Sequence, residues 1–280
     1  MNTTAASGVT ALRVAEAPTS GLTKRVLSAL VLAPIALAFV WAGGWAFAAL
    51  LAIAGVLMAA EWEALTGGRV RDANGLVQIA GAIVAIGATA EWGVEAGLAA
   101  VGIGVVAQLV LGRNRGPWPA LGAAYIGLPM IALIELREGS EDGLIAVLWL
   151  FAVVWAMDIF AYVAGKSIGG PKLAPTISPG KTWAGLIGGA FGSTVAGAVI
   201  APYVGWSALG LALASGALGA FSQVGDLFES AVKRRFGVKD SGNLIPGHGG
   251  ILDRVDGLVF AAVAVGIASI VFGPLFGAPR

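Results

Sequence analysis

Cysteine is absent from the 280 residues, which excludes disulfides, thiol nucleophiles and cysteine-ligated metals. Histidine occurs once, at position 248, and a lone histidine without cysteine argues against a zinc site. Charge is scarce too. Asp, Glu, Lys and Arg make up 12% of the chain, where a soluble domain carries about 25%. In their place stand 58% hydrophobic residues, with a mean hydropathy of +0.86. A soluble globular enzyme, a disordered chain and a coiled coil are thereby excluded. The shortage of alternating β-branched runs argues against an outer-membrane barrel. What remains is an all-α, polytopic integral membrane protein, whose length accommodates about nine transmembrane helices. Its 43 glycines fit helices that pack closely in lipid.

The expected spans are 26–43, 45–63, 75–91, 93–111, 118–136, 143–164, 183–203, 206–225 and 257–277. Residues 1–22, polar and small, read as a flexible cytoplasmic tail and not as a cleaved signal. Residues 23–136 form an N-terminal set of membrane helices, and 137–280 a C-terminal catalytic region. With the N-terminus inside, 15 of the 17 Lys and Arg residues fall on the cytoplasmic side, leaving only Arg137 and Arg280 outside. The positive-inside rule then puts the N-terminus in the cytoplasm and the C-terminus outside, in the inner (plasma) membrane of the cell. Two inside loops, 165–182 and 226–256, are long for so economical a chain, and long loops tend to be functional. Glu61 and Glu63 end the second span near the inner surface; either could be a site residue, but they read better as solvated interfacial carboxylates.

The loop 226–256 holds five of the sixteen carboxylates and the single histidine. Asp226, Ser230 and Lys233 share one helical face at spacings i, i+4, i+7, on a helix that continues span eight beyond the membrane. Asp253 and Asp256, at i and i+3, share a face at the start of span nine. Between them Pro246-Gly247-His248-Gly249-Gly250 can make a tight turn whose backbone N–H groups suit phosphate oxygens. Hard carboxylate oxygens suit Mg²⁺, which commonly takes one or two carboxylates plus substrate phosphates. Arg235 and Lys239 read equally well as solvated charges.

Two further signals lie upstream. Asp158 sits inside or at the edge of the bilayer in span six, where an ionisable side chain is a functional candidate by default. Lys166 follows on roughly the same helical face. Ser178-Pro179-Gly180-Lys181-Thr182 offers hydroxyls, N–H groups and a cation for a phosphate. Neither Gly165-Lys166-Ser167 nor Gly180-Lys181-Thr182 completes a Walker A loop, because Phe160 and Pro175 stand where that loop needs its first glycine. Gly188, Gly189 and Gly192 read as a helix-packing face.

Together these segments resemble the signature of the phosphatidate cytidylyltransferases, also called CDP-diacylglycerol synthases. The pattern is Ser230-x-x-Lys233-Arg234, Lys239-Asp240 and His248-Gly249-Gly250-x-x-Asp253-Arg254-x-Asp256. Upstream, Asp226 with Glu229, Trp155-x-x-Asp158, Gly165-Lys166 and Ser178-Pro179-x-Lys181-Thr182-Trp183 fit as well, so the likeness covers roughly residues 120–260. The chain departs from the family's usual Lys at Gly180, Glu at Ala184 and Ser at Gly257.

The resemblance implies that CTP and phosphatidic acid give CDP-diacylglycerol and pyrophosphate, for phospholipid synthesis. It implies a metal-dependent nucleotidyltransferase with Asp226 and Asp253 as ligands of one or two divalent ions, Mg²⁺ first, with room for a monovalent cation. Asp256, Ser230 and Lys233 complete the catalytic set. Substrate contacts fall to Ser178, Lys181, Thr182, Arg234, Lys239, Asp240, His248, Gly249, Gly250 and Arg254, with Asp158 and Lys166. No nucleic-acid partner is expected, and the glycine-rich faces are compatible with a homodimer. Two rivals share parts of the pattern. One is a CTP-dependent transferase or kinase acting on an isoprenoid lipid. The other is a cation-coupled transporter, against which stand the lack of a repeat and the crowding of polar residues onto one membrane face.

Overall fold

A computed structural model of the chain describes residues 18–242, 244 and 249–277, with side chains from residue 30 onward. Residues 1–17 of the expected tail, and His248 with its neighbours 245–247, lie outside the described residues. Nine α-helices follow one another among the described residues. They are α1 (Pro18–Ala42), α2 (Gly44–Leu65), α3 (Ala73–Trp92), α4 (Val94–Leu111) and α5 (Trp118–Glu138), then α6 (Gly143–Ser167), α7 (Trp183–Ile200), α8 (Ala208–Arg235) and α9 (Leu252–Phe272). The helices α2 to α9 are long and apolar enough to cross a membrane, eight candidate spans in all. Of α1, the stretch with described side chains, Leu30–Ala42, is apolar but shorter.

Each expected span finds its helix, and three helices overrun theirs by more than a turn. The helix α1 starts earlier, α8 runs on to Arg235, and α9 begins at Leu252, so that Asp253 and Asp256 lie in its first turns. The loop 165–182 holds an element that hydropathy did not announce. Strands β1 (Lys172–Ala174) and β2 (Ser178–Thr182) pair antiparallel, Lys172 opposite Thr182 and Ala174 opposite Ser178. Such short polar strands lie below what periodicity can detect.

Local chemistry explains the breaks. Single glycines, Gly43 and Gly93, separate α1 from α2 and α3 from α4, at φ +65° and +87°. Only glycine enters that region without a steric penalty, so the chain reverses in one residue. Thr182 and Ser207 cap α7 and α8, each accepting from the N–H three residues on at 3.0 Å. The helix α5 is the most enclosed and packs against α2, α3, α4, α6 and α9. Tyr125 of α5 stacks on Trp62 of α2 at 5.1 Å and lies 5.4 Å from the ring of Phe228 of α8. The expected glycine face is real. A Cβ at Gly189 would stand 2.5 Å from Met157 Sδ, and one at Gly192 2.5 Å from Phe160 Cγ, so α7 approaches α6 closely.

The two acids at the end of α2 correct the sequence reading, since neither is solvated. Glu63 is fully buried and pairs with Arg115 at 2.6 Å. Arg115 in turn donates to the Thr66 hydroxyl at 2.8 Å. Glu61 is also buried, with partners given below. A carboxylate on an apolar helix next to lipid needs such partners. At the opposite end of the bundle, buried Arg137 donates to the carbonyls of Val40 and Trp41 at 2.7 and 3.1 Å. Glu138 there accepts from Gly44 N at 2.7 Å.

Arg115→Ala leaves the Glu63 carboxylate buried without its counter-charge, and should lower stability by about 3–5 kcal/mol. Replacing both residues by apolar ones, Glu63→Leu with Arg115→Met, should recover most of that loss. Thermal denaturation in detergent checks the pair. An unshifted midpoint for Arg115→Ala would remove the anchoring role given to this ion pair.

Candidate active site

The site is assembled where α6, the hairpin, α8 and the start of α9 meet. The hairpin delivers Lys181. Gly180-Lys181-Thr182 lies on β2, which runs straight into α7. The Lys181 ammonium stands 2.5 Å from Asp226 Oδ2 and donates to Gln223 Oε1 at 2.7 Å. The amide of Gln223 donates onward to Asp158 Oδ1 at 3.3 Å. Three elements far apart in sequence thus share one chain of polar contacts. Ser230, one turn beyond Asp226, donates to its Oδ1 at 3.4 Å, as the i, i+4 spacing requires.

A second chain runs between α8 and α9. Lys233 stands 2.5 Å from Asp253 Oδ1 and 3.4 Å from Glu229 Oε1. Glu229 is fully buried and lies against the carboxyl of Asp256. Asp253 does more than pair with Lys233. Its Oδ2 accepts from Ser241 N, Ser241 Oγ and Gly250 N, each at 2.9 Å. One side chain thereby fixes both ends of the connection between α8 and α9. The N–H of Gly250 is committed to this contact. Gly249 sits at φ +83°, with a Cβ position 2.8 Å from Asp253 Oδ2. A side chain there would need both a strained backbone and a shifted carboxylate.

Not every expected residue joins this cluster. Thr182 is buried and spends its hydroxyl on capping α7, so it faces the helix and not the cleft. Lys166 points to Tyr162, 3.4 Å from its hydroxyl, and has no contact with Asp158. Arg234 donates to the carbonyls of Ile177 and Val238 at 3.3 and 3.1 Å, tying the hairpin turn to the end of α8. Lys239 and Asp240 are exposed beside the cluster. Ser178 lies on β2 opposite Ala174. Arg254 is exposed on the first turn of α9 and within electrostatic reach of Asp158. His248 lies outside the described residues.

Sequence reasoning passed over Gln223. The signal was a pair of polar residues, Ser222-Gln223, inside an apolar span three residues before Asp226. Glu229 entered only as part of the family pattern, yet it is the most buried acid of the cluster.

The donor set bears on the expected divalent ion. Five carboxylates, those of Asp158, Asp226, Glu229, Asp253 and Asp256, face the ammonium groups of Lys181 and Lys233. No group of three or more acids or histidines among the described residues stands in the arrangement of a closed metal cage. Mg²⁺ rarely uses such a cage and takes one or two carboxylates, with substrate phosphates for the rest. The residues fit that mode. Among the described residues, Asp253 Oδ1 accepts from Lys233 alone and retains a lone pair, and Asp226 Oδ1 accepts only the long contact from Ser230.

Gly249→Ala should lower stability by about 1–3 kcal/mol, from a backbone conformation that only glycine tolerates. The thermal midpoint and the deuterium exchange of the Ser241 and Gly250 amides read this out. Unchanged exchange would mean that Asp253 does not hold the connection as described.

Comparison with known proteins identifies the family. The cytidylyltransferase family model matches residues 23–272. A phosphatidate cytidylyltransferase of Brucella abortus biovar 1 (strain 9-941) is 41% identical over 269 residues, which cover 93% of this chain and 96% of that protein. The protein of the same name from Brucella suis biovar 1 (strain 1330) matches equally. One from Staphylococcus aureus (strain COL) is 40% identical over 176 residues, 59% of this chain and 65% of its own. The match runs through α2 to α9, and so through every residue of the polar cluster; the chain belongs to the cytidylyltransferase family.

Proposed function

We propose that the chain transfers CMP from CTP to phosphatidic acid, giving CDP-diacylglycerol and pyrophosphate. One observation carries this reading for the site itself. The Lys181–Asp226 pair and the Lys233–Asp253 pair stand together at one end of the bundle, on the hairpin and on helices long and apolar enough to cross a membrane. A water-soluble nucleotide and a lipid headgroup can meet only at such a boundary.

In the reaction a phosphate oxygen of the lipid attacks the α-phosphorus of CTP. The bond between the α-phosphorus and its bridging oxygen breaks, and pyrophosphate leaves. The nucleophile is already an anion, so no strong general base is needed. Positioning and charge neutralisation carry the acceleration. Lys181 and Lys233 would meet the reacting phosphates, and each is held by a carboxylate that it can share with a polyanion. Asp158 and Gln223 hold Lys181 from behind, and Glu229 does the same for Lys233. Arg234, Lys239 and Arg254 ring the cluster as further phosphate contacts. Asp226 and Asp253 would hold a divalent ion, with Asp256 and Ser230 beside them. Such an ion neutralises the charge of the phosphates and of the leaving pyrophosphate.

The site faces the cytoplasm in this reading, where CTP is available. The N-terminus is then cytoplasmic, α1 is the ninth span, and the C-terminus lies outside. Two features support that orientation. The cluster and the Glu63–Arg115 pair share one end of the bundle, and in the topology read from the sequence 15 of the 17 Lys and Arg residues fall on the cytoplasmic side. The lipid reaches the headgroup position sideways from the inner leaflet.

Purified protein in mixed phosphatidic acid and Mg²⁺, given CTP labelled at the α or the γ position, tests the reaction. Label should pass to lipid from the α position only, and EDTA should abolish the transfer. Asp226→Asn and Asp253→Asn should each lower kcat at least about a hundredfold, if they anchor the charge-neutralising group. Transfer from the γ position would instead establish a lipid kinase. Wild-type rates in both folded variants would remove these two carboxylates from the site.

A further inference from the structure

Glu61 lies outside the family pattern set out above, and its surroundings give it a task. It projects from the last turns of α2 and is 8% exposed. Its partners are some 180 to 190 residues away in sequence. Oε1 accepts from Ile251 N at 2.8 Å. Oε2 accepts from Leu252 N at 2.9 Å and lies 3.2 Å from Ser241 Oγ. The first N–H groups of a helix have no partner within it, and they carry the positive end of its dipole. Glu61 supplies both the acceptor and the negative charge that the start of α9 needs.

The neighbouring chain leaves room for this carboxylate. A Cβ at Gly242 would stand 2.9 Å from Glu61 Oε1, and one at Gly250 would overlap Glu61 Oε2 and Ser241 Oγ. The Ser241 hydroxyl lies between two carboxylates, Oε2 of Glu61 and Oδ2 of Asp253. It has one proton to offer, so the two acids share it. Asp253 then reaches Lys233 with its other oxygen. A continuous relay of hydrogen bonds therefore leads from α2 to the cation of the site.

We propose that Glu61 is a positioning residue for nucleotidyl transfer. It clamps Ser241 and the first turn of α9, and so fixes where Asp253 presents its Oδ1 and where Lys233 stands. The proposal rests on the reading of the cluster as a CTP-dependent transferase centre. It differs from a merely structural role in what it predicts. A carboxylate that only stabilises the bundle would alter folding and leave the turnover of folded molecules intact. One that positions the site lowers the use of CTP by molecules that remain folded.

The test is Glu61→Gln, which keeps the size and turns an amide NH₂ toward backbone donors. In the full-length protein, kcat/KM for CTP should fall tenfold or more, because misplacement by about 1 Å can cost up to a hundredfold. The KM for phosphatidic acid should stay within error, and the thermal midpoint should fall by no more than a few degrees, the loss that one weakened helix cap brings. Deuterium exchange should rise at the 241–242 and 250–253 amides and nowhere else. If Glu61→Gln does not accumulate, Ser241→Ala asks the same question with the cap on α9 left in place, and kcat/KM for CTP should again fall several-fold. Wild-type kcat/KM for CTP in the folded variant overturns the proposal, and so does a lowered midpoint with unchanged turnover per folded molecule. A wild-type protein that moves no α label to lipid overturns the functional reading instead. The exchange pattern of Glu61→Gln then still reports whether the clamp exists.

Discussion

An ionised group at the edge of a bilayer needs a counter-charge, because leaving it unpaired in low dielectric costs several kcal/mol. The chain meets this constraint by grouping its charges. Lys181 stands against Asp226, Lys233 between Glu229 and Asp253, and Arg115 against Glu63. All but Glu229–Lys233, which lies within α8, join two different elements. The pairs that make charge tolerable beside lipid are therefore also ties: Lys181–Asp226 joins the hairpin to α8, Lys233–Asp253 joins α8 to α9, and Glu63–Arg115 joins α2 to the segment before α5. Elsewhere helix contact relies on small residues and aromatic packing, as at Gly189 against Met157 and Trp62 against Tyr125.

The same pairing prepares the chemistry. A phosphate chain arriving from water brings negative charge, and the ammonium groups of Lys181 and Lys233 are already desolvated and aimed. Their carboxylate partners do not vanish when phosphate arrives, which leaves the site rich in negative charge. A divalent ion held by Asp226 and Asp253 would relieve that excess, which is the role proposed for Mg²⁺. Within this arrangement Asp253 has two tasks. One of its oxygens meets Lys233, and the other gathers the amides of Ser241 and Gly250, so charge and loop geometry are fixed together.

Much of this could be read from the sequence, for identifiable reasons. Helix positions followed from hydropathy. The i, i+4, i+7 spacing of Asp226, Ser230 and Lys233 put them on one face because α8 extends past the apolar stretch. The start of α9 was harder, since Leu252 to Asp256 carries more charge than an average span and the helix simply absorbs it. Three features could not be read. The hairpin is too short and polar to show a period. The capping by Thr182 depends on where α7 starts, which hydropathy leaves uncertain by a turn. Glu61 and Glu63 looked like solvated surface acids because their partners, Leu252 and Arg115, are non-local, and a single sequence does not reveal long-range pairs. The family pattern identified the reaction class, but not the relay that places the residues.

The central claim is that one polar centre, on the cytoplasmic end of the bundle, binds CTP. The cysteine-free chain permits a direct test with a single Lys239→Cys substitution at an exposed position beside the cluster. An impermeant maleimide should modify it in inside-out vesicles and not in right-side-out ones, and CTP with Mg²⁺ should slow the modification. Modification from the outer face, or a rate indifferent to CTP, would contradict the account.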